Sequence, residues 1–378
     1  MYKRQHQHIG NLLGWRTNRK IIVFESDDWG SIRMPSKKVY HNLIRSGINF
    51  QNNHYNRYDS LESNKDLECL FEVISSYRDK IGNHPAFTGI CVVANPDFEK
   101  ISKTGFKDYY FEPFSETTKQ YPAHNRILQL WKKGVERQLF IPQFHGREHL
   151  NVRRWLRDLQ TGNKDAIIAF ENRLWGIKTK LIKKSYQAAF DLDFSDDLNY
   201  LQNIINDGLD LFKELLGYPA KYFVPTNGPF NLSLEETLYN KGIRYITLDK
   251  RQKEPLGNDK YKTHYRYLGK KNRYGQIYLS RNASFEPSAE GVDWIDKCLN
   301  DIKIAFRMKK PATISTHRVN YIGVLDQRNR DRGLKQLSEL LTIILRKWSE
   351  VEFMTSIELG DLISNKTNNL LMKINEAR

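Results

Sequence analysis

The chain has 378 residues and a formal net charge of +16, from 60 Lys and Arg against 44 Asp and Glu. That length buries a sizeable core, as one large domain or two ordinary ones, and (β/α) barrels reach it as single units. Cys69, Cys91 and Cys298 lack any paired spacing, which argues against a disulfide framework and a thiolate zinc site, and no stretch approaches 18 apolar residues, which argues against a membrane-spanning helix.

The N-terminal "MYKRQHQHIGNLLGW" has no apolar signal-peptide core, so a cytoplasmic location is the expectation. The first predicted strand, 20–25 (KIIVFE), runs into an acid pair, Asp27 and Asp28, followed by Trp29 and Gly30. An acid pair here is either a capping turn or half of a metal site. A helix over 62–79 and a strand over 87–94 follow, the strand leading into Asn95–Asp97. A helix over 125–135 precedes a third strand at 138–144, which ends in "HGREH". The spacing of His145 and His149 places two imidazoles on one side of a helical turn, where both can aim a nitrogen at one cation. A carboxylate from another strand would supply a third ligand and leave a position for water.

Residues 152–195 interrupt the rhythm and predict a helical insertion after the third strand. A long helix over 196–216 stops at Gly217, and strands at 220–224, 244–248 and 276–280 lead into "PTNGPFN", Asp249, and Arg281 with Asn282. Between them, 250–274 carries nine Lys and Arg against two acids, interleaved with Tyr261, Tyr265, Tyr267 and Tyr274. It reads as a solvated hairpin with a tip at "LGKKNRYG"; nucleic-acid binding is the lesser alternative. Strands at 312–316, followed by His317, and at 351–354 close the series, with helices over 232–241, 290–307 and 333–348.

About eight strand–helix units predict an α/β chain, a distorted or incomplete (β/α) barrel of seven to eight parallel strands, with a doubly wound open sheet as the alternative. One domain over 1–365 and a polar tail over 366–378 are expected. In such a barrel the loops after the strands build the site. Polar residues follow seven of the strands, so they converge on one rim.

These residues, in this order, resemble the polysaccharide deacetylase family of carbohydrate esterases, over roughly 20–355. "ESDDWG" corresponds to the family's Thr-Phe-Asp-Asp-Gly, and "HGREH" to its His-Ser/Thr-x-x-His, with Gly146 at the hydroxyl position. "ISTHR" corresponds to the late Leu-x-His motif. The resemblance implies Asp27 as general base and His317 as general acid. It implies Asp28, His145 and His149 as ligands of a divalent cation, zinc first, with cobalt or nickel as alternatives. The implied reaction is hydrolysis of an acetyl group, N-acetyl before O-acetyl, on a sugar. Trp29, Tyr321 and Phe230 are candidate stacking platforms, and Pro225, Asn227 and Arg281 further substrate contacts.

In two places the chain departs from the family. Val224 in "FVPTNGPFN" stands where the family has an Arg beside the catalytic Asp, leaving Arg33, Arg147, Arg281 or Arg318 to substitute. For the acid of the fourth motif Asp249 is the candidate. The expected partner is a glycan precursor, lipid- or nucleotide-linked given the positive charge. A glycan-binding protein without turnover and a metal-dependent phosphoesterase are the rival readings.

Overall fold

A computed structural model describes residues 13–48, 53–177 and 184–365. The expected tail at 366–378 and most of the basic N-terminal stretch lie outside the described residues.

Nine strands form the main sheet: β1 (Ile21–Trp29), β2 (Phe87–Val92), β3 (Phe140–Gly146), β4 (Tyr222–Phe223), β5 (Tyr245–Thr247), β6 (Ile277–Leu279), β7 (Ala283–Ser284), β8 (Ala312–His317) and β9 (Glu352–Phe353). Their order is β6-β5-β4-β3-β2-β1-β8-β7, with β9 on the first residues of β1, and every pairing is parallel. The edge strands β6 and β7 are joined by residues 280–282 alone. Four residue steps reach at most about 15 Å, whereas eight strands laid flat would set the edges roughly 34 Å apart. The sheet therefore curls until its edges nearly meet. The fold is a distorted, incomplete (β/α) barrel.

Each predicted strand is present, but the two-residue β7 has too short an apolar run to be read from sequence. Helices cover the outer face; the longest are Asp197–Leu216 and Gln327–Lys347. Those over 37–45, 54–58, 98–103 and 114–119 are too short to give a clear period. Among its described residues the insertion is helical over Val152–Gln160 and Lys164–Glu171; beyond them, 172–177 and 184–195 run irregularly toward the barrel mouth.

Residues 250–274 do contain a hairpin, Arg251–Gly257 against Lys260–Tyr265, but its tip lies elsewhere. Asn258 and Asp259 both have positive φ, as a tight hairpin turn requires. "LGKKNRYG" instead forms a turn held by the Asn272 side chain, with one bridge between Lys271 and Ile277. Among the described residues no helix is long and apolar enough to cross a membrane.

Strand alternation sorts the core. Ile22 and Phe24 of β1 face the helices in the larger cluster, while Ile21 and Val23 face the barrel interior with Ile90, Tyr222, Ile277 and Leu279. A helix over 356–365 closes the lower end, with Leu359 and Ile363 in the interior cluster. Above them Glu25 is buried, accepting from Tyr222 (2.7 Å), Ser356 (2.7 Å) and Arg281 Nε (2.5 Å). Asp27 stands next along the same inward row.

Candidate active site

By that alternation Asp28 should point outward, away from Asp27. It does not. Its φ is +78°, a left-handed conformation that non-glycine residues rarely adopt, and the β1–β2 register shifts between Ser26 and Trp29. This kink turns Asp28 into the barrel mouth beside Asp27 and returns Trp29 to the outer core. Strain held at one residue beside a cavity marks a site that the surroundings over-determine. The surroundings here are ionic. Arg33 Nη2 donates to Asp28 (3.1 Å), while Arg318 bridges Asp59 (2.9 Å) and Glu62 (2.7 Å), and Glu62 accepts from the Gly30 amide (3.1 Å).

"HGREH" is not the helical turn that its spacing predicts. His145 is the penultimate residue of β3, and the chain loops back so that His149 returns beneath it, with ring centroids 5.0 Å apart. Gly146, at φ +156°, makes the return possible: a Cβ there would lie 3.0 Å from the Glu148 carbonyl. The hydroxyl residue of the resembled motif would therefore crowd the Glu148 carbonyl in this loop.

The Oδ1 of Asp28 lies 3.1 Å from His149 Nε2 and 3.6 Å from His145 Nε2. One donor atom from each of the three residues falls within 4.8 Å of the others, and all three side chains are buried. Ligand distances of about 2.0–2.1 Å in a tetrahedral site set neighbouring donors about 3.3 Å apart. The donor chemistry agrees. His145 Nδ1 donates to the Val224 carbonyl (2.7 Å), which fixes the proton there and leaves Nε2 a lone pair. Burial first, then Arg33, pushes His149 down to about 4, so its ring is neutral. Its Nδ1 has no partner among the described residues; stacking on Trp175 holds the ring. Burial disfavours ionised Asp28, but the Arg33 guanidinium beside it leads the opposing effects, and the carboxyl is held well below its usual range. The three residues fit a divalent cation.

Asp27 faces different partners. Arg281 donates from Nη1 and Nη2 to its two oxygens, both at 2.6 Å, and from Nη1 to Ser315 Oγ (3.2 Å). Burial would raise the Asp27 carboxyl, but Arg281, with His145 and His317, outweighs it and keeps it ionised. Of the four candidate arginines, then, Arg281 reaches Asp27, from the link that joins the sheet edges. Arg33 sits on Asp28, Arg318 beneath the kink, and Arg147 on Glu148 and Asp207 (2.7 and 3.0 Å) away from the cavity. Every nitrogen of its fork is engaged, so Arg281 is a partner of Asp27, and it also stands in the cavity wall where the sequence expected a substrate contact.

His317 Nε2 is 3.8 Å from Asp27, and its Nδ1 is 2.6 Å from Glu286 Oε1. Burial opposes the charged ring, but Glu286, then Asp27 and Asp28, push it up to about 10. His317 is thus an imidazolium at neutral pH. Asn320 fixes the other Glu286 oxygen (2.7 Å). Glu286 was missed by the sequence reading. Its signal, the acid in "SFEPS", lies just past the unread strand β7.

These groups open on a cavity of about 910 Å³, whose wall includes Asp27, Asp28, His145, His149, Arg281 and His317. Pro225, Asn227 and Asp249 line it as well, and burial raises the Asp249 carboxyl. The expected aromatic platforms do not. Trp29 is fully buried, donating to Ser26 Oγ (3.0 Å) and packing edge-on against Phe140. Phe230 packs in the core against Phe190 and Phe223, and Tyr321 is buried with its hydroxyl on Thr316 (2.9 Å). The kink sends Trp29 outward, whereas Phe230, in the loop after β4, and Tyr321, in a 3-10 turn after β8, pack into the core. The aromatic ring in the wall is Tyr55, edge-on to His317.

No protein-family model matches the sequence, and no curated protein matches it. Solved structures do resemble the fold. A chain classed as a polysaccharide deacetylase from Mycobacterium smegmatis aligns at 9% identity and a TM-score of 0.46, covering 94% of each chain. One classed the same way from Pseudomonas aeruginosa PAO1 aligns at 11% and 0.44, covering 91% of each. A 4-alpha-glucanotransferase from Thermococcus litoralis aligns at 14% and 0.44, covering 90% of this chain and 40% of that one. At such identities and scores the function has to be read from the site.

Proposed function

We propose that this chain is a divergent polysaccharide-deacetylase-like hydrolase that removes an acetyl group, N-acetyl in preference to O-acetyl, from a sugar or glycan precursor. One observation carries the reading: a three-donor cluster, an ionised carboxylate and an imidazolium meet in one cavity, each held in its charge state by a separate partner. Asp28, His145 and His149 would hold the divalent cation, zinc first, whose chemistry when bound is to polarise an acyl oxygen and lower the pKa of water.

The protein's own residues do the rest. Asp27, kept ionised and oriented by the Arg281 fork, accepts the proton of the attacking water. His317, kept protonated by Glu286, faces Asp27 across the cavity and donates to the departing nitrogen. The amides of the Asn227–Gly228 turn, both residues at positive φ in the cavity wall, are candidate donors to the developing oxyanion. A carboxylate that must accept a proton and an imidazolium that must give one suit amide cleavage, where the leaving amine needs protonation. The rival of a glycan-binding protein without turnover rested on Val224; the Arg281–Asp27 pair supports the reading with turnover.

The test is acetate release from N-acetylated oligosaccharides by ion-loaded protein, with and without chelator. Release that stops on chelation and returns with zinc is expected. No release from any acetylated sugar by protein that demonstrably holds the ion would refute the reading.

A further inference from the structure

The insertion has no counterpart in the resembled motifs, yet it forms part of the cavity wall through Gly176, Ser185 and Gln187. Across from it stands Arg33, whose side chain is only 5% exposed. One edge of its guanidinium is hydrogen-bonded, through Nη2 on Asp28 (3.1 Å), and Nε makes only an ion-pair contact with Asp59 (3.5 Å). Nη1, on the remaining edge, is buried with no hydrogen-bond partner among the described residues. A buried donor on a charged group is seldom left unmet without a reason.

Gly176 shows where the partner would sit. A Cβ built on it would lie 3.5 Å from Gln187 Nε2 and 3.7 Å from Arg33 Nη1. Two N–H donors, one of them cationic, thus flank a spot that no described side chain fills, on the wall that also holds Asp28. Trp175 closes one side, with the Arg33 guanidinium 5.3 Å from its ring centroid. The acids near Arg33, Asp28 and Asp59, face its other edges.

We infer that Arg33 Nη1 and Gln187 Nε2 form a subsite around Gly176 for an anionic substituent of the sugar, a carboxylate or a phosphate. An anion can accept from both donors at once, and the charged guanidinium favours it over a neutral hydroxyl. The inference rests on reading the cavity as a carbohydrate site; it adds that the substrate is an acidic glycan.

Probes without an acetyl group separate the two readings. Methyl β-D-glucuronide, methyl β-D-glucoside and methyl β-D-glucoside 6-phosphate are titrated calorimetrically into wild type, Gly176→Ala and Gln187→Leu. The added methyl of Gly176→Ala meets its neighbours at ordinary contact distances, so the fold tolerates it while the subsite fills. At least one anionic probe should bind about tenfold or more tighter than the neutral glucoside, and both variants should lose that preference. Whichever anion leads identifies the substituent. Equal binding of all three probes, or a preference that survives in both variants, would overturn the subsite. Acetate release from neutral glycans would still stand in that case, and anion binding without acetate release would spare the subsite and refute the hydrolase.

Discussion

Asp27 and Asp28 are neighbours in sequence but sit in opposite electrostatic settings. Asp28 faces two imidazole nitrogens and a single arginine nitrogen, so its charge is available to a cation. Asp27 is gripped through both oxygens by Arg281 and faces an imidazolium, so it is oriented and ionised but already has its counter-charge. Two bare acids this close would repel and one would take up a proton; separate partners prevent that. The left-handed backbone at Asp28 makes the division possible, since a regular strand would have sent the two carboxylates to opposite faces.

The sharpest way to break this contrast is to remove a group on the Asp28 side alone. His149→Ala should abolish binding of a divalent ion and lower acetate release by at least about a hundredfold, read by elemental analysis and initial rates. On the Asp27 side, Glu286→Gln removes what keeps His317 charged. The alkaline limb of the rate profile should move down by about one pH unit or more, with ion content unchanged.

Stability gives an independent reading of the same pair. His317 is raised to about 10 from an ordinary 6.5, so the folded protein keeps a proton that the unfolded chain releases. That contribution is complete below pH 6.5 and is lost as the pH rises through about 10. Denaturant midpoints should fall between those limits in wild type and fall less in Glu286→Gln. The smallest effect concerns the ring beside the pair. Trp29→Phe should cost roughly 1–3 kcal/mol of stability, read by thermal unfolding, and leave KM unchanged, because that ring packs on Phe140 outside the cavity. A raised KM at full stability would return Trp29 to the substrate.

Much of this site was legible in sequence because donors follow strands. The apolar runs marked β1, β3 and β8, and the polar residues after them, Asp27, Asp28, His145, His149 and His317, share one rim. The partners that set their charges were not legible as such. Arg281 and Glu286 flank a two-residue strand without a hydrophobic signature, and their partners Asp27 and His317 lie 254 and 31 residues away. The Trp29 platform failed for a local reason: one left-handed residue reverses its facing, and backbone conformation at an aspartate leaves no trace in composition. The helical reading of "HGREH" failed because spacing reports which residues share a face only once the element is known.

The division of labour between the two acids is tested most directly by the ion content of Asp28→Asn and Asp27→Asn, measured side by side after loading with zinc. Asp28→Asn should lose the ion. Asp27→Asn should keep about one per chain and yet release no acetate. Loss of the ion in both variants, or its retention in both, would contradict the assignment of separate tasks to neighbouring carboxylates.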